Sequence, residues 1–356
     1  TGLMGVFLAI DLVLFYLFWE IMLLPMFLMI GIWGGQQRRQ AAIKFFLYAL
    51  AGSLTMLIAL IALYLLHGEQ TGSYSFALHE LMKTQLSLSQ EVLLFGGFML
   101  AFAVKMPLVP FHTWLPDAHA ESPASGAVDL TGLLLKTGIF GMLHVTFPLF
   151  PAATRLVLPL LGILALTGLF HAAWGAYRQN DIKRLFAYSS ISHVGLILLG
   201  MAAWQFTALE GSILLMLTNA IATGGLFVLI AMIRQRTGTC RIDELGGLWG
   251  QAPNLSAFFL LFALASLGLP GLANFAGEIL VLIGTFQTHP VWASLALVAV
   301  VFTAAYILRL VQGVIWGPAA GARILYDLTP REWLILVPMA ILVFWPILPS
   351  VEPVSY

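Results

Sequence analysis

The stretch Leu100-Ala-Phe-Ala-Val-Lys-Met-Pro107 places a lysine and a proline inside an apolar run, and a similar frame, Leu264-Ala-Ser-Leu-Gly-Leu-Pro270, recurs later in the chain. Proline lacks a backbone donor and clashes with the preceding turn, so it ends or kinks a helix. In lipid, the carbonyls that this frees are tolerated only where protein or water satisfies them. Each stretch therefore predicts a transmembrane helix that is broken within its span.

Composition predicts a membrane protein along the whole chain. Of its 356 residues, 60% are hydrophobic and 9% are charged, whereas soluble domains carry about 25% charged residues. The formal net charge of zero gives no reason to expect nucleic acid as a partner. The lone Cys240 excludes a disulfide framework, a cysteine-ligated zinc site and an iron–sulfur cluster. The predicted fold class is an all-α polytopic membrane protein.

Apolar runs of membrane-spanning length recur from end to end. A bilayer core is crossed by about 20 apolar residues in a helix. This window predicts ten spans, at residues 11–33, 42–66, 92–113, 125–150, 155–177, 185–203, 208–233, 252–283, 291–317 and 332–349. Residues 1–10 look like the end of an earlier helix. Because the chain opens on Thr1 inside an apolar run, we expect further helices to precede it.

Lysine and arginine are unevenly distributed among the loops, which predicts the orientation. If the ten spans alternate, one side of the membrane receives Arg38, Arg39, Lys44, Arg178, Lys183, Arg184, Arg234, Arg236, Arg241, Arg323 and Arg331. The opposite loops hold only Lys83 and Arg155. The two broken spans lie five spans apart, so they have opposite orientations, as the two halves of an inverted transporter repeat do.

Few ionisable residues fall inside the predicted spans, and they carry the chemistry of the chain. A charge in hydrocarbon costs roughly 2.5–3.5 kcal/mol on insertion scales, so such residues persist where they face a cavity or a partner. The basic ones are Lys105, Lys136 and Arg309, the acidic ones are Glu20 and Glu278, and Asp129 lies near a helix start.

These residues predict proton transfer through the span region. Glu20 either locks two helices as an ion pair or adjusts the pKa of a nearby lysine. Lys105 and Lys136 are suited to load and release protons, because the pKa of a lysine responds to burial. Glu278, beyond the second break, would exchange a proton with the far side. Among the histidines, His193 is either a relay or a hydrogen-bonding residue of the core.

Six motifs resemble the antiporter-like subunits of respiratory complex I, a family that includes Mrp-type antiporter and membrane-bound hydrogenase subunits. In chain order they are Phe18-Trp-Glu-Ile-Met-Leu-Leu-Pro25, Phe102-Ala-Val-Lys-Met-Pro107, His112-Thr-Trp-Leu-Pro-Asp-Ala-His119, Val128-Asp-Leu-Thr-Gly-Leu-Leu-Leu-Lys136, Asp181-Ile-Lys-Arg-Leu-Phe-Ala-Tyr-Ser-Ser-Ile-Ser-His193 and Gly268-Leu-Pro-Gly-Leu-Ala-Asn-Phe-Ala-Gly-Glu278. The Val-Asp-Leu run before Lys136 and the glutamate at position 278 are most similar to the M-type branch, called chain 4 in mitochondria.

The resemblance implies a fold of fourteen helices, with two inverted five-helix repeats and a broken helix in each. The ten spans then correspond to helices five to fourteen. On this basis residues 1–150 hold the end of helix four and the rest of the first repeat, residues 151–317 form the second repeat, and residues 318–356 form a C-terminal loop and the last transmembrane helix.

The resemblance also implies roles for the buried residues. It makes Glu20 and Lys105 the coupled pair, Lys136 the central relay and Glu278 the distal exit group. The branch is expected to carry a histidine between Lys136 and Glu278, but Asn219 stands at that place. Asparagine does not titrate, so either water carries the proton past Asn219 or the path is rerouted.

The function implied is that of a proton-translocating subunit of a bacterial NADH–quinone oxidoreductase in the cytoplasmic (inner) membrane. Its expected partners are adjacent antiporter-like subunits of the membrane arm and the lipid bilayer. No cofactor or metal is expected in this chain, whereas NADH, FMN, iron–sulfur clusters and quinone are expected in partner subunits. The alternatives are an Mrp-type cation/proton antiporter subunit, a membrane-bound hydrogenase subunit, and a structural scaffold whose buried charges no longer act.

Overall fold

The computed structural model describes residues 1–318 and 326–344. Nearly all of these residues are helical, and their β pairing is limited to two isolated bridges. The chain divides into two compact units, Thr1–Gly168 and Leu169–Tyr356. The predicted all-α class is therefore confirmed. The predicted repeat boundary at residue 150, the inverted relation of the repeats and the orientation in the membrane stay predictions.

The first unit is built from helices whose starts are fixed by local side chains. Asp11 accepts hydrogen bonds from the backbone N–H groups of Val13 and Leu14, and Ser87 and Gln90 form a capping box. The α-helices are Gly2–Leu8, Leu12–Ile21, Leu23–Trp33, Arg38–Thr71, Leu78–Leu81, Leu88–Lys105, Trp114–Glu121, Ala124–Asp129, Leu135–Gly141 and Phe147–Leu149, with π-helical turns at Leu130–Leu134 and Met142–Thr146.

The helix Pro151–Tyr177 contains the boundary between the units, and the second unit continues from there. Asp181 begins the next helix by accepting a hydrogen bond from the backbone N–H of Arg184, as a capping residue does. The helices that follow are Ile182–Ala202, Phe206–Thr237, Leu248–Gln251, Pro253–Leu267, Ala273–Thr288, Pro290–Val311 and Pro330–Val343, with a 3₁₀ turn at Ile242–Glu244 and a π-helical turn at Gln312–Trp316.

Within the described ranges, 8 helices are long and apolar enough to cross a membrane. They are Leu12–Trp33, Arg38–Thr71, Leu88–Lys105, Ala124–Leu149, Pro151–Tyr177, Ile182–Ala202, Phe206–Thr237 and Pro290–Trp316. Each coincides with one of the predicted spans, so the chain is a multi-pass membrane protein. Of the two other predicted spans, 332–349 begins with the helix Pro330–Val343; its end, like Arg323, lies outside the described residues.

The remaining predicted span, 252–283, is two separate helices. Pro253–Leu267 ends where Gly268 adopts a left-handed conformation with φ of +77°, and Ala273–Thr288 begins after the following turn. Glycine adopts this conformation without a steric penalty. The predicted break is therefore confirmed, and it is complete enough that neither half has the length of a full span.

The other predicted break is also confirmed, but the boundary differs. The helix that was expected over residues 92–113 runs over Leu88–Lys105 and stops there, and a short helix, Trp114–Glu121, follows. The indole N–H of Trp114 donates to the carbonyl of Val104 at 2.9 Å. This bond satisfies a carbonyl near the helix end, because a helix leaves its last carbonyls without partners of its own.

Two helices of the second unit approach each other closely. A Cβ atom added to Gly277 would lie 2.7 Å from the backbone nitrogen of Leu215, so only glycine permits this packing of Ala273–Thr288 against Phe206–Thr237. Glu278, the next residue, is consequently 5% exposed. The glycine thus draws an ionisable side chain into the core of the unit.

Candidate functional site: buried ionisable residues at two helix breaks

Lys105 is the last residue of its helix and is only 2% exposed. Its ammonium nitrogen lies 4.9 Å from the centroid of the Trp19 ring, which is a cation–π contact. Trp19 is held in turn by ring contacts to Phe15, at 5.7 Å, and Phe102, at 5.4 Å. The C-terminal end of a helix also favours a cation. The lysine is thus stabilised by an aromatic ring and by the helix end.

Glu20 follows Trp19 in sequence and is half-buried. Its Oε1 atom has no hydrogen-bond partner among the described residues, and within the same part of the chain no ion pair of 4.0 Å or less joins it to Lys105. Its sequence neighbour Trp19 nevertheless contacts the Lys105 ammonium group. The structure brings the two residues into one region, while their coupled action stays a prediction.

Lys136 is 4% exposed and lies just after a π-helical turn. In that turn the backbone N–H of Leu135 bonds to the carbonyl of Leu130, five residues earlier. The ammonium group of Lys136 donates to the carbonyl of Thr131 at 3.0 Å. Single π turns inside α-helices are frequent at functional sites. Here the turn gives a buried lysine a backbone acceptor within its own helix.

Thr131 extends this contact to a histidine. Its hydroxyl lies 3.0 Å from Nε2 of His119, and both residues are fully buried. Lys136, Thr131 and His119 therefore form a polar chain inside the first unit. The sequence placed His119 in a quoted motif but gave it less weight than His193; its position after the helix break was the signal for a role beside Lys136.

Glu278 faces the break of the second unit. Its carboxylate occupies the space where a side chain at Gly268 would begin. Side chains of a helix lean toward its N-terminus, so Glu278 points back toward the turn that separates the two half-helices. The glycine at the break is needed both for its backbone conformation and for the room that it leaves to this carboxylate.

His193, from the helix Ile182–Ala202, is the partner of Glu278. Its Nδ1 lies 2.8 Å from the carbonyl oxygen of Ser189 and its Nε2 lies 3.0 Å from that of Ser266. Carbonyl oxygens only accept, so both contacts are hydrogen bonds only if both ring nitrogens carry a proton. Nε2 is also 3.6 Å from Oε1 of Glu278. His193 thus joins the two halves of the broken span, through the Ser266 carbonyl on one side and Glu278 on the other.

A second buried hydroxyl group reaches the same histidine through its helix. Tyr306, 0% exposed, donates to the hydroxyl of Ser189 at 2.8 Å. A cavity of about 10 Å³ borders His193 and Glu278 and is also lined by Ser192 and Thr303. A single water molecule needs roughly 10–15 Å³, so this space is of the size of one water.

The other sequence candidates lie elsewhere. Asn219 is 1% exposed in the helix Phe206–Thr237, and its carbonyl accepts from the hydroxyl of Thr223 at 2.5 Å. Arg309 is exposed, lies over the ring of Tyr177 and donates to its carbonyl. Asp129 is half-buried at the end of a short helix. Among the described residues, no group of three or more His, Cys, Asp or Glu gathers as metal ligands do.

The fold and these sites define a class: multi-pass helical membrane proteins with buried ionisable residues at interrupted helices. The chain matches, over residues 9–303, the family described as NADH:quinone oxidoreductase/Mrp antiporter, TM. This match covers most of the sequence, and the relatives below agree with it. The chain belongs to this family.

Two relatives are NADH-quinone oxidoreductase subunit M proteins. The one from Escherichia coli (strain K12) is 44% identical over 323 residues, which are 89% of this chain and 64% of the relative. The one from Pseudomonas aeruginosa is 43% identical over 347 residues, which are 96% of this chain and 68% of the relative. The chain thus spans about two thirds of the length of these proteins.

A solved structure shares the fold. A chain of respiratory complex I from Thermus thermophilus with bound NADH superimposes with a TM-score of 0.90 at 37% identity, over 97% of this chain and 73% of that one. The resemblance in the six motifs therefore extends to the backbone fold of the described residues. This similarity of fold does not establish the roles of the buried residues Glu20, Lys105, Lys136, His193, Asn219 and Glu278.

Proposed function

We propose that the chain is the proton-translocating core of an M-type subunit in a bacterial NADH–quinone oxidoreductase. The observation that carries the proposal is the presence of near-fully buried ionisable side chains beside two helix interruptions in a multi-pass membrane protein: Lys105 at the first, and Glu278 with His193 at the second. Such residues are costly within a membrane and mark proton relays or ion pathways.

In the first unit the proposed proton carriers are Lys105 and Lys136, with Glu20 as the charge that regulates Lys105. Glu20 follows Trp19, whose ring contacts the Lys105 ammonium group. Movement of the Glu20 carboxylate would therefore change the affinity of the amine for a proton. Lys136 is bonded to Thr131 and through it borders His119. A histidine can pass protons near neutral pH, so His119 joins the proposed carriers.

In the second unit the proposed exit group is Glu278, and His193 is its proton partner. Nε2 of His193 and Oε1 of Glu278, 3.6 Å apart, are the proposed point of proton exchange. Transfer of the Nε2 proton to Glu278 neutralises both groups at once, so the pair holds a proton without leaving a net charge in the core. Asn219 is proposed as a non-titrating residue of this unit.

The electron-transfer chemistry is proposed to lie in partner subunits, which would hold NADH, FMN, iron–sulfur clusters and quinone. The chain would then act within the inner membrane, beside other antiporter-like subunits of the membrane arm. It would be part of an enzyme, a proton-translocating oxidoreductase, without a redox centre of its own.

The test measures NADH-driven proton uptake and NADH oxidation together in inverted membrane vesicles that contain the whole complex. Lys136→Ala and Glu278→Gln are expected to reduce proton uptake by about 10²-fold, the usual contribution of a positioned acid or base. The matched control is Glu80→Gln, since Glu80 lies in the short helix Leu78–Leu81, outside the predicted spans, and is paired with Lys83. If proton uptake is unchanged in both Lys136→Ala and Glu278→Gln, the proposed function is wrong and the chain is a structural scaffold.

The second candidate is a cation/proton antiporter subunit of the Mrp type, because the family that matches residues 9–303 includes both kinds of protein. Such a protein moves protons in response to an imposed sodium gradient with no electron donor. Vesicles containing the chain and its co-purifying partners would distinguish the two. Proton movement that follows sodium without NADH supports the antiporter, and proton movement that needs NADH supports the oxidoreductase.

A further inference from the structure

The short helix Trp114–Glu121, which follows the first helix break, has an outer and an inner face. Side chains four residues apart share one face of a helix. On the outer face these are Thr113, which precedes the helix, Asp117 and Glu121, and all three are exposed or partly exposed. On the inner face Trp114 is 1% exposed and His119 is 0% exposed. The helix thus separates the surface of the first unit from its interior.

The outer face is bound to the helix Arg38–Thr71. The ammonium group of Lys44 donates to the carbonyl of Thr113 and to Oδ2 of Asp117, each at 2.7 Å. The hydroxyl groups of Tyr48 and Thr113 are 2.9 Å apart. Because Lys44 and Tyr48 are also four residues apart, two adjacent turns of the long helix hold the start of the short one.

The end of the short helix is bound by the turn that precedes Arg38. The backbone N–H of Gln37 donates to Oε2 of Glu121 at 2.9 Å, and the backbone N–H of Gly35 donates to the Glu121 carbonyl at 2.9 Å. A Cβ atom added to Gly35 would lie 2.5 Å from the same Oε2. The glycine therefore leaves the room that this carboxylate occupies, and the short helix is fixed from outside at both ends.

The inner face contacts the segment that carries each buried lysine. The indole N–H of Trp114 donates to the carbonyl of Val104, the residue before Lys105. On the next turn, Nε2 of His119 lies 3.0 Å from the hydroxyl of Thr131. That residue also supplies the carbonyl to which the ammonium group of the other buried lysine donates at 3.0 Å. The same short helix is thus bonded on one side to the surface and on the other to both lysine segments.

The ion pair of Lys44 and Asp117 contributes more to position than to stability. Their side chains are 32% and 33% exposed, and exposed ion pairs contribute little to stability. However, one ammonium group bonded to two acceptors four residues apart fixes both the distance and the rotation of the short helix. Rotation of this helix would move His119 away from Thr131, because both are reached from the same turn.

We propose that Lys44 is a positioning residue for proton transfer at Lys136. It holds the helix Trp114–Glu121 from outside, and that helix holds Thr131 through His119. Lys44 itself carries no proton in the reaction. Its effect on proton uptake rests on the function proposed above for Lys136, whereas its hold on the short helix follows from the contacts alone.

The first measurement is amide hydrogen exchange in the whole complex. Lys44→Met keeps the aliphatic part of the side chain and removes the ammonium group. It is expected to accelerate exchange in residues 113–121 and 130–136 by about fivefold or more, as the net loss of a hydrogen bond does. Lys44→Arg, which keeps the charge and can bond to both acceptors, is expected to exchange as the wild type does. Tyr48→Phe removes a single contact and is expected to show a smaller acceleration in residues 113–121.

The second measurement is NADH-driven proton uptake in inverted membrane vesicles. Lys44→Met is expected to lower proton uptake per NADH by about tenfold, since misplacement of a reacting group by a distant substitution costs up to about 10²-fold. Lys44→Arg is expected to restore most of it. The matched control is Lys83→Met, which also removes an ammonium group paired with a carboxylate, that of Glu80 at 2.9 Å, and is expected to leave uptake unchanged.

Two results overturn the proposal. If exchange in residues 113–121 is unchanged in both Lys44→Met and Tyr48→Phe, the short helix is held without them. If exchange is faster but uptake is normal, in a complex whose uptake is abolished by Lys136→Ala, the lysine does not depend on this helix. Tyr48→Phe, which removes only a hydroxyl group, carries the same comparison should Lys44→Met not assemble.

Failure of the proposed function would look different. In that case Lys136→Ala leaves proton uptake intact, and the hold of Lys44 on the Lys136 segment is decided by hydrogen exchange alone. Faster exchange in residues 130–136 of Lys44→Met supports that hold, and unchanged exchange there overturns it.

Discussion

The two helix breaks carry opposite charges on opposite half-helices. At the first break, Lys105 is the last residue before the interruption, at a helix C-terminus. At the second, Glu278 lies in the second turn after the interruption, near a helix N-terminus. A helix dipole favours cations at its C-terminal end and anions at its N-terminal end, by about 0.3–1 kcal/mol each. Breaking a helix thus creates two ends, and each break uses the end that suits its charge.

The two residues also differ in what surrounds them. Lys105 contacts the face of an aromatic ring and has its nearest carboxylate beyond ion-pair distance in the described part of the chain. Glu278 has a histidine at 3.6 Å, and that histidine is bonded to two carbonyls. The Lys105 site is therefore held by a weak, non-directional contact. The Glu278 site is held by an ionisable partner whose own position is fixed by backbone carbonyls. The cost of disturbing each should differ accordingly.

The largest effect is expected from His193→Ala. Removing one partner of a buried charge pair costs about 3–5 kcal/mol, because the other charge is left uncompensated. The thermal stability of the purified complex is expected to fall and to recover in the double variant with Glu278→Gln. If the double variant is as unstable as His193→Ala alone, the pair is not what stabilises the second unit.

Gly268→Ala is expected to have the next largest effect. An alanine would be strained at a φ of +77°, at a cost of about 1–2 kcal/mol, and its Cβ would displace the carboxylate of Glu278. Gly238→Ala is the matched control, because Gly238 has the same φ of +77° and no atom within 4 Å of the added carbon. Equal losses of stability and proton uptake in the two variants would contradict a steric role for the glycine at the break.

A smaller effect is expected from Trp19→Phe at the first break. Phenylalanine keeps a ring but has a weaker cation–π interaction, so the Lys105 ammonium group loses about 0.5–1 kcal/mol of stabilisation. NADH-driven proton uptake is expected to fall as a result. Trp33→Phe, which changes an exposed tryptophan of the same span, is the control. A similar decrease in both variants would mean that the ring is a packing residue only. A decrease in Trp19→Phe alone supports the comparison.

The smallest effect concerns a carboxylate in the segment before the helix Pro330–Val343. Burial alone would raise the pKa of Asp327, but hydrogen bonds from the backbone N–H groups of Asn254, Leu255 and Leu328 outweigh it and hold this pKa below its usual value. A lowered folded-state pKa contributes stability that is fully present above the unfolded value of about 3.9 and disappears as pH falls through the folded value.

Asp327→Ala is therefore expected to destabilise the protein at pH 7 by about 1 kcal/mol, as the loss of a helix cap does. The difference in the midpoint temperature of thermal unfolding between the variant and the wild type should disappear below about pH 4. Because this carboxylate is held by backbone groups, its response separates ordinary capping from the response of Glu278 to its histidine. A gap that is constant down to low pH would mean that packing, and not charge, fixes Asp327.

The sequence was sufficient for the parts of the fold that depend on local chemistry. Apolar length predicted the spans, and the Pro107 and Gly268 stretches predicted both breaks, because proline and glycine limit the backbone wherever they occur. It could not predict that the helix before Pro107 ends at Lys105, since the bond that satisfies this end comes from Trp114. That bond depends on how the chain folds back after the break.

The sites were predicted as residues but not as arrangements. Lys105, Lys136 and Glu278 were found because a charge in an apolar run is conspicuous. The contact of Glu278 with His193 depends on the packing of two helices that are far apart in sequence, and no local pattern reveals it. Asn274 was not singled out because asparagine is neither charged nor apolar; that it is fully buried is visible only in the structure.

The π turn at Leu130–Leu134 also makes the chain sensitive to its own length. Such a turn holds one residue more than the α-helix would, so deleting a single residue, for example the exposed Leu133, would restore ordinary helix. Each residue of an α-helix advances by about 100°, so Lys136 would then rotate relative to the preceding segment and lose Thr131. A change that a sequence alignment shows as one small gap would redirect the lysine, whereas most substitutions in the same turn would not.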